Sequence, residues 1–298
     1  MRFAKGHGTE NDFVILVDPE GDQGLSPGLA ARLCDRRAGI GADGVLRAVR
    51  TTALAGGAGN GSAAGPGVGA AHRPQAGPAP EWFMDYRNSD GSPAEMCGNG
   101  IRVFARYLAE RGLAAGPAFT VATRCGVRRV RLDDDGHVAA EMGGVAVLGP
   151  GRAVVGGVTC EGLRISVGNP HLACLVDAPL AGFDLTGAPQ LDPAQFPQGG
   201  NLELVRVTGP GLAQMRVHER GSGETRSCGT GAVAAAAAAA AATGQDHGSW
   251  QVSLPGGQLT VALEPGGAWL TGPAVIVAEG ELDDAWLAAA TVAPRRRA

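Results

Sequence analysis

Two stretches of the chain read almost alike: AEMCGNGIRVFARY at residues 94–107 and TRSCGTGAVAAAAA at 225–238. Each places Cys-Gly-x-Gly directly ahead of a helical pattern. Glycine in the first turn weakens a helix unless the bare backbone is itself in use. That turn offers unpaired N–H groups and the positive end of the helix dipole. A cysteine there ionises more readily than in water, and the thiolate is the reactive form. The glycines beside it leave N–H groups open to a carboxylate.

The repetition extends beyond the cysteines. GTENDF (8–13) opens the first half with an asparagine just ahead of an apolar strand, and VGNPHL (167–172) does the same in the second. Each half then offers several strands, Cys-Gly-x-Gly and a helix. Internal duplication accounts for this, and it predicts two similar lobes facing each other with a ligand between them. The cysteines would reach that ligand from opposite sides.

Strand-length, β-rich runs dominate elsewhere: 13–18, 81–87, 118–123, 126–132, 163–168, 171–177, 202–207 and 213–219. Gly, Pro and Asp clusters such as DDDG and LPGG separate them, as hairpins require. Long helices are few. One begins at Ser26-Pro27, an N-cap followed by proline at the first helical position, and the other two follow Cys97 and Cys228. The expected class is α+β with mostly antiparallel strands. Residues 51–80 are nearly all Gly, Ala and Pro and bury too little to offset their ordering entropy, so a disordered insertion is expected there.

With 298 residues, 44% hydrophobic and 18% charged, the chain has the composition of an ordinary soluble protein. A net charge of −4 supplies no basic field for nucleic acid or an anionic membrane. No segment reads as a signal peptide or approaches the ~20 apolar residues of a spanning helix, so a cytoplasmic location is expected. The six cysteines form no CxxC pair, which argues against zinc-ribbon and thioredoxin-type sites, and no metal is expected. Cys34, Cys125, Cys160 and Cys174 sit in apolar or strand-like contexts and read as packing residues.

Two thiols on opposite faces of one ligand suit the inversion of a carbon centre. A thiolate removes a proton from one face while a thiol supplies one to the other. Backbone N–H groups aimed at an α-carboxylate would support the carbanion. Racemisation through pyridoxal phosphate needs a lysine. The single lysine, Lys5, lies in the first strand beside no phosphate-cradling loop, so no cofactor is expected.

The ordered set KGHGTENDF, GIGADGV, NSDGSPAEMCGNGIRVFARYL, SVGNPH, ERGSGETRSCGTGA and LPGG…LTGPA strongly resembles the diaminopimelate epimerase family. The match covers nearly the whole chain apart from 51–80 and the tail after about 286. The resemblance implies two pseudo-symmetric lobes, each a mostly antiparallel sheet or barrel wrapped around a central helix. The first lobe would span 1–125, the second 126–271, and 272–298 would return to the first. It also implies a cytoplasmic, commonly dimeric enzyme that interconverts LL- and meso-2,6-diaminopimelate for lysine and peptidoglycan synthesis without metal or pyridoxal phosphate.

Carried over by position, Cys97 resembles the base toward the LL-substrate and Cys228 the opposing acid. Gly98, Asn99, Gly229 and Thr230 match the helix-entrance residues that hold the reacting carboxylate. Asn11, Asn88, Asn169 and Asn201 match amides that bind substrate. Arg220 suits the distal carboxylate and Glu219 the amino group, while His171 and Glu219 match a pair that tunes the thiols. On their own, Asn11, Asn88 and Asn169 read equally as turn residues and Glu219-Arg220 as a solvated pair. One departure is Gly44, where the family often has Gln. Two alternatives stay open. A proline or hydroxyproline racemase typically has His in place of Asn99, and a thiol-disulfide sensor would use the cysteines as a reversible pair.

Overall fold

The computed structural model describes residues 1–56 and 79–291, and these divide into two compact units. The first comprises residues 1–8, 12–56, 79–138 and 274–291, and the second 9–11 and 139–273. Most of the 51–80 insertion lies outside the described residues. Its first six residues form a short helix, where two threonines, alanine and leucine precede the glycine run.

In the first unit the elements are β1 (Arg2–Gly8), β2 (Asn11–Val17), α1 (Pro27–Cys34), β3 (Gly44–Arg50), α2 (Thr51–Gly56), β4 (Trp82–Asn88), α3 (Gly98–Glu110), β5 (Ala118–Thr123) and β6 (Gly126–Leu132). The returning segment adds β18 (Val275–Glu281) and α5 (Asp284–Thr291). Strand β18 pairs antiparallel with β1, so the C-terminal segment closes this unit. From there the order is β1, β2, β3, β4, β5, β6, with β2/β3 and β4/β5 parallel and β3/β4 and β5/β6 antiparallel. The β5–β6 hairpin keeps residues 126–132 in the first unit, past the 125 boundary expected from sequence.

The second unit holds β7 (His137–Gly143, entering from the first), β8 (Ala146–Val155), β9 (Val158–Ser166), β10 (Pro170–Leu175), β11 (Gln190–Leu191), β12 (Asn201–Gly209), β13 (Leu212–Glu219), β14 (Gly223–Thr225), α4 (Gly229–Ala242), β15 (Gly248–Leu254), β16 (Gly257–Glu264) and β17 (Gly267–Pro273). Its central order is β9, β10, β12, β13, β15, β16. Here β10/β12 and β13/β15 are parallel and the other neighbours antiparallel. This is the first unit's pattern again: hairpin, parallel step, hairpin, parallel step, hairpin. In each unit the Cys-capped helix is inserted before the second parallel step. The mixed sheets therefore carry more parallel pairing than hairpins alone would give.

The helices end alike as well as beginning alike. After α3, Gly112 takes φ 64° and Leu113 N–H bonds to Leu108 C=O. After α4, Gly244 takes φ 69° and Gln245 N–H bonds to Ala240 C=O. Both are left-handed glycine caps that satisfy the last carbonyls. Helix α4 is buried from Ala232 to Ala240. Alanine side chains are short enough for strands to pack closely around it, against β9, β10, β12, β13, β15 and β16. Among the described residues no helix is long and apolar enough to cross a membrane.

Candidate active site

Cys97 is the N-cap of α3. Its backbone is extended (φ −133°, ψ 123°), and its Sγ accepts the Gly100 N–H at 3.4 Å. A Cβ built on Gly100 would stand 3.2 Å from Leu46 Cδ2 and 3.4 Å from Phe13 Cζ, so the floor beneath this turn is apolar. Gly98 and Asn99 are buried in the same turn. Arg102, one turn further on, is fully buried and donates from Nη1 to Gly98 C=O at 3.0 Å. Burial pushes its guanidinium down to about 10, while the charge of Cys97 pulls it back up. Asn88 closes β4, and its Nδ2 donates to Ser92 Oγ at 3.0 Å. The loop onward to Cys97 needs Gly91 (φ 83°), since a side chain there would strike Pro27 C=O.

Cys228 repeats the arrangement with φ −130°, ψ 120° and Sγ accepting Gly231 N–H at 3.4 Å. Its surroundings differ. A Cβ on Gly231 would stand 2.8 Å from Glu203 Oε1, so the floor here is a carboxylate. Thr230 Oγ1 lies 3.5 Å from the sulfur and Asn169 Nδ2 donates to Thr230 Oγ1 at 3.4 Å. His171 continues the chain, with Nε2 2.9 Å from Asn169 Oδ1 and Nδ1 2.7 Å from Glu203 Oε1. Both His171 and Glu203 are 0% exposed.

Glu219, at the end of β13, accepts the Thr225 hydroxyl at 2.5 Å and hydrogen-bonds Cys228. Burial raises its carboxyl above the ordinary range. Burial, then Glu219 and Glu203, push the Cys228 thiol well above its ordinary value. Asn201 opens β12 and accepts the Arg220 backbone N–H at 2.9 Å, while Arg220 Nη1 donates to Gln198 C=O at 3.1 Å. The guanidinium of Arg220 is otherwise on the exposed side.

Asn11 follows Thr9 and Glu10, the two non-glycine residues with positive φ (51° and 64°) among those described. This turn belongs to the second unit. Thr9 Oγ1 lies 2.6 Å from Ser227 Oγ, and Arg226 pairs with Glu10. The turn carrying Asn11 is thereby fastened to the segment leading into Cys228. Gly44 has no room for a side chain, because Arg87 C=O and the Tyr86 ring stand 2.6 and 2.7 Å from where its Cβ would be. Lys5 Nζ binds Asp12 at 2.6 Å and the Gly41 carbonyl. Sequence reading missed Glu203 and Arg102. The first sits in a strand-like run and the second in the helix that follows Cys97.

All six cysteines are free thiols. Cys34, Cys160 and Cys174 are buried in apolar clusters, with Cys34 pushed up to about 11 and Cys174 to about 12, chiefly by burial. Cys125 is half-buried, its Sγ 3.3 Å from Arg128 Nη2.

A family profile described as "Diaminopimelate epimerase" matches residues 3–148 and 163–281. The chain is 57% identical to the diaminopimelate epimerase of Thermobifida fusca over 95% of its length and 98% of that relative's. It is 51% identical to the one from Rhodococcus opacus and 48% to the one from Mycolicibacterium smegmatis, each over 96% of this chain and 98% of the relative. In fold it is similar to a hydroxyproline epimerase from Agrobacterium vitis (TM-score 0.62, 13% identity, 98% of each chain). It is also similar to a Bacillus anthracis phenazine biosynthesis protein of the PhzF family (TM-score 0.63, 14% identity, 95% and 98%).

Proposed function

Since this chain belongs to the diaminopimelate epimerase family, we propose that Cys97 and Cys228 are the acid–base pair of its reaction. The protein is an isomerase, and its reaction is the epimerisation of 2,6-diaminopimelate between the LL and meso forms. The observation that carries the roles of the cysteines is their repetition. Each thiol caps a helix, and each accepts a hydrogen bond from the glycine N–H three residues on.

The chemistry follows from what inversion requires. A base must take the α-proton from one face and an acid must deliver one to the other. From the LL-isomer, the Cys97 thiolate takes the proton and the Cys228 thiol gives one, and the return reaction exchanges the roles. The buried guanidinium of Arg102 stabilises a thiolate at Cys97. The carboxylates of Glu203 and Glu219 favour a proton on Cys228. The N–H groups of Gly98, Asn99, Gly229 and Thr230 hold the α-carboxylate and its developing carbanion charge in this proposal, as helix N-termini hold anions.

The remaining assignments are part of the same proposal. Asn11, Asn88, Asn169 and Asn201 bind the substrate's polar ends. Arg220 takes the distal carboxylate, Glu219 the amino group, and His171 with Glu219 tunes the thiols. No cofactor or metal is needed, because two thiols and the helix amides supply every proton and charge the inversion uses. We further read the enzyme as a cytoplasmic homodimer serving lysine and peptidoglycan precursor synthesis.

The test is isotope exchange. Incubation with LL- or meso-diaminopimelate in deuterated water is expected to place one deuterium at an α-carbon while the isomers equilibrate. Exchange into proline but not diaminopimelate overturns the reading.

A further inference from the structure

The repeated topology allows the floors of the two cysteine turns to be compared position by position. Phe13 is the third residue of GTENDF from Glu10's successor Asn11, as His171 is the third from Asn169 in VGNPHL. In the sheets Phe13 pairs with Gly44 and His171 with Asn201. Two residues further along each of these partner strands stand Leu46 and Glu203. Leu46 and Phe13 approach Gly100, while Glu203 approaches Gly231. The Phe13/Leu46 floor under Cys97 is therefore replaced under Cys228 by His171 and Glu203, 2.7 Å apart and fully buried.

A buried carboxylate at that depth is costly unless it is held and used. Glu203 Oε1 is bonded to His171, but its Oε2 has no hydrogen-bond partner among the described residues. A carboxylate accepts only, so His171 Nδ1 donates to it. Asn169 turns Oδ1 to the ring because its Nδ2 donates to Thr230, so Nε2 donates to Asn169 and the ring is locked between the two acceptors. Asn169 then holds Thr230, whose hydroxyl is at the Cys228 sulfur.

We propose that Glu203 is a positioning residue for Cys228, which through His171, Asn169 and Thr230 fixes the contacts on the thiol and by its charge keeps the proton there. This rests on the reading of Cys228 as the proton donor toward the LL-isomer. Among the described residues, Glu219 from β13 and Glu203 from β12 act on the thiol by charge, and His171 from β10 lies against Glu203. Cys174 on β10 also feels Glu203. Both carboxylates act in one direction, raising the thiol. Glu219 sits at the end of its strand, where substrate would meet it. Glu203 is fully buried in the floor beneath Gly231, and on this proposal its field acts on the thiol whether or not substrate is bound.

The test separates charge from position. Glu203→Gln keeps an oxygen for His171 Nδ1 but removes the charge. Glu203→Asp keeps the charge. Alkylation of the full-length protein by iodoacetamide is followed across pH by mass spectrometry of the Cys228 peptide. In Glu203→Gln the midpoint is expected to fall by about one pH unit, about a tenfold rise in thiolate at a given pH. The basic limb of kcat/KM should move down with it. Glu203→Asp should stay within a few tenths of a unit of the parent. A folded Glu203→Gln protein whose Cys228 curve superimposes on the parent's overturns the proposal. Should Glu203→Gln not fold, the parent alone decides: a Cys228 midpoint at or below the ordinary ~8.5 also overturns it. Failure of the catalytic reading is seen separately, as absence of α-deuterium exchange by the parent enzyme, since alkylation needs no turnover.

Discussion

Helices α3 and α4 begin with the same cap, end with the same glycine turn and sit at the same step of the same strand order, yet their surroundings carry opposite charge. Around Cys97 the floor is Phe13 and Leu46, and the buried charge is the guanidinium of Arg102. Around Cys228 the floor is His171 and Glu203, and Glu219 adds a second carboxylate. Duplication supplied two identical geometries. On the proposed mechanism, what would distinguish donor from acceptor lies in the residues beneath the caps. The charge near Cys97 is a buried cation, and the charges near Cys228 are carboxylates that oppose its ionisation.

Removing the sulfurs is expected to have the largest effect. Cys97→Ala and Cys228→Ala are each expected to lower epimerisation by about 10³-fold or more, in the upper part of the usual range for a positioned acid or base. Neither remaining thiol can serve both faces of the carbon. Normal turnover by either variant, measured by polarimetry or coupled assay, would remove the two-base mechanism.

Next come the glycines above the two floors. Gly231→Ala would set a methyl 2.8 Å from Glu203 Oε1 and 3.3 Å from the Cys228 sulfur. At Gly100 the nearest atom is Leu46 Cδ2 at 3.2 Å, the free end of a flexible side chain. Alanine at 231 must displace either a buried carboxylate or the Cys228 sulfur. We expect a fall in kcat of about 100-fold for Gly231→Ala and about tenfold or less for Gly100→Ala, where helix propensity gives back ~1 kcal/mol. Equal losses would mean that the two floors are not the source of the asymmetry.

Arg102→Met tests the other half of the charge pattern. Replacing a buried cation by an apolar side chain of similar length can be neutral for stability. The effect should appear in the pH profile instead. Without the cation a thiolate at Cys97 is less favoured, so the acid limb of kcat/KM is expected to rise by about one unit. That is the reverse of the downward shift of the basic limb expected for Glu203→Gln.

Much of this was legible in the residues. The Cys-Gly-x-Gly repeats mark both caps, because caps are local; the glycine ends at Gly112 and Gly244 emerged only from the structure. The paired asparagines revealed the duplication. Glu203 was not legible. In NLELV it alternates with leucines, which reads as a strand with one wet face. In the fold α4 covers the other face, so residues on both sides of β12 are buried. Arg102 was hidden for a related reason. The glycines of β1 let α3 lie so close that Arg102 Nη2 would stand 3.0 Å from a Cβ at Gly8. Gly44, which looked like a lost contact, is explained by the Tyr86 ring that fills its place.

The smallest expected effect concerns thiols that take no part in the chemistry. Burial raises Cys34 in the first unit to about 11 and Cys174 in the second to about 12. The native state thus holds these protons more tightly than the unfolded chain, whose thiols titrate near ~8.5. In the window above that value the unfolded state binds fewer protons, so stability falls as pH rises. The full contribution is present below about 8.5 and is lost progressively toward the native values. Each such thiol gives a slope of at most ~1.4 kcal/mol per pH unit. Cys174→Ala should flatten the loss of urea stability between pH 9 and 11 by about one thiol's share, and Cys34→Ala should do so over a narrower range. Because Cys228 is raised by carboxylates as well as by burial, Glu203→Gln should flatten the slope too. The same substitution leaves Cys34, in the other unit, untouched. A Glu203→Gln protein with the parent's alkaline slope would show that the charge beneath α4 has no hold on the thiol.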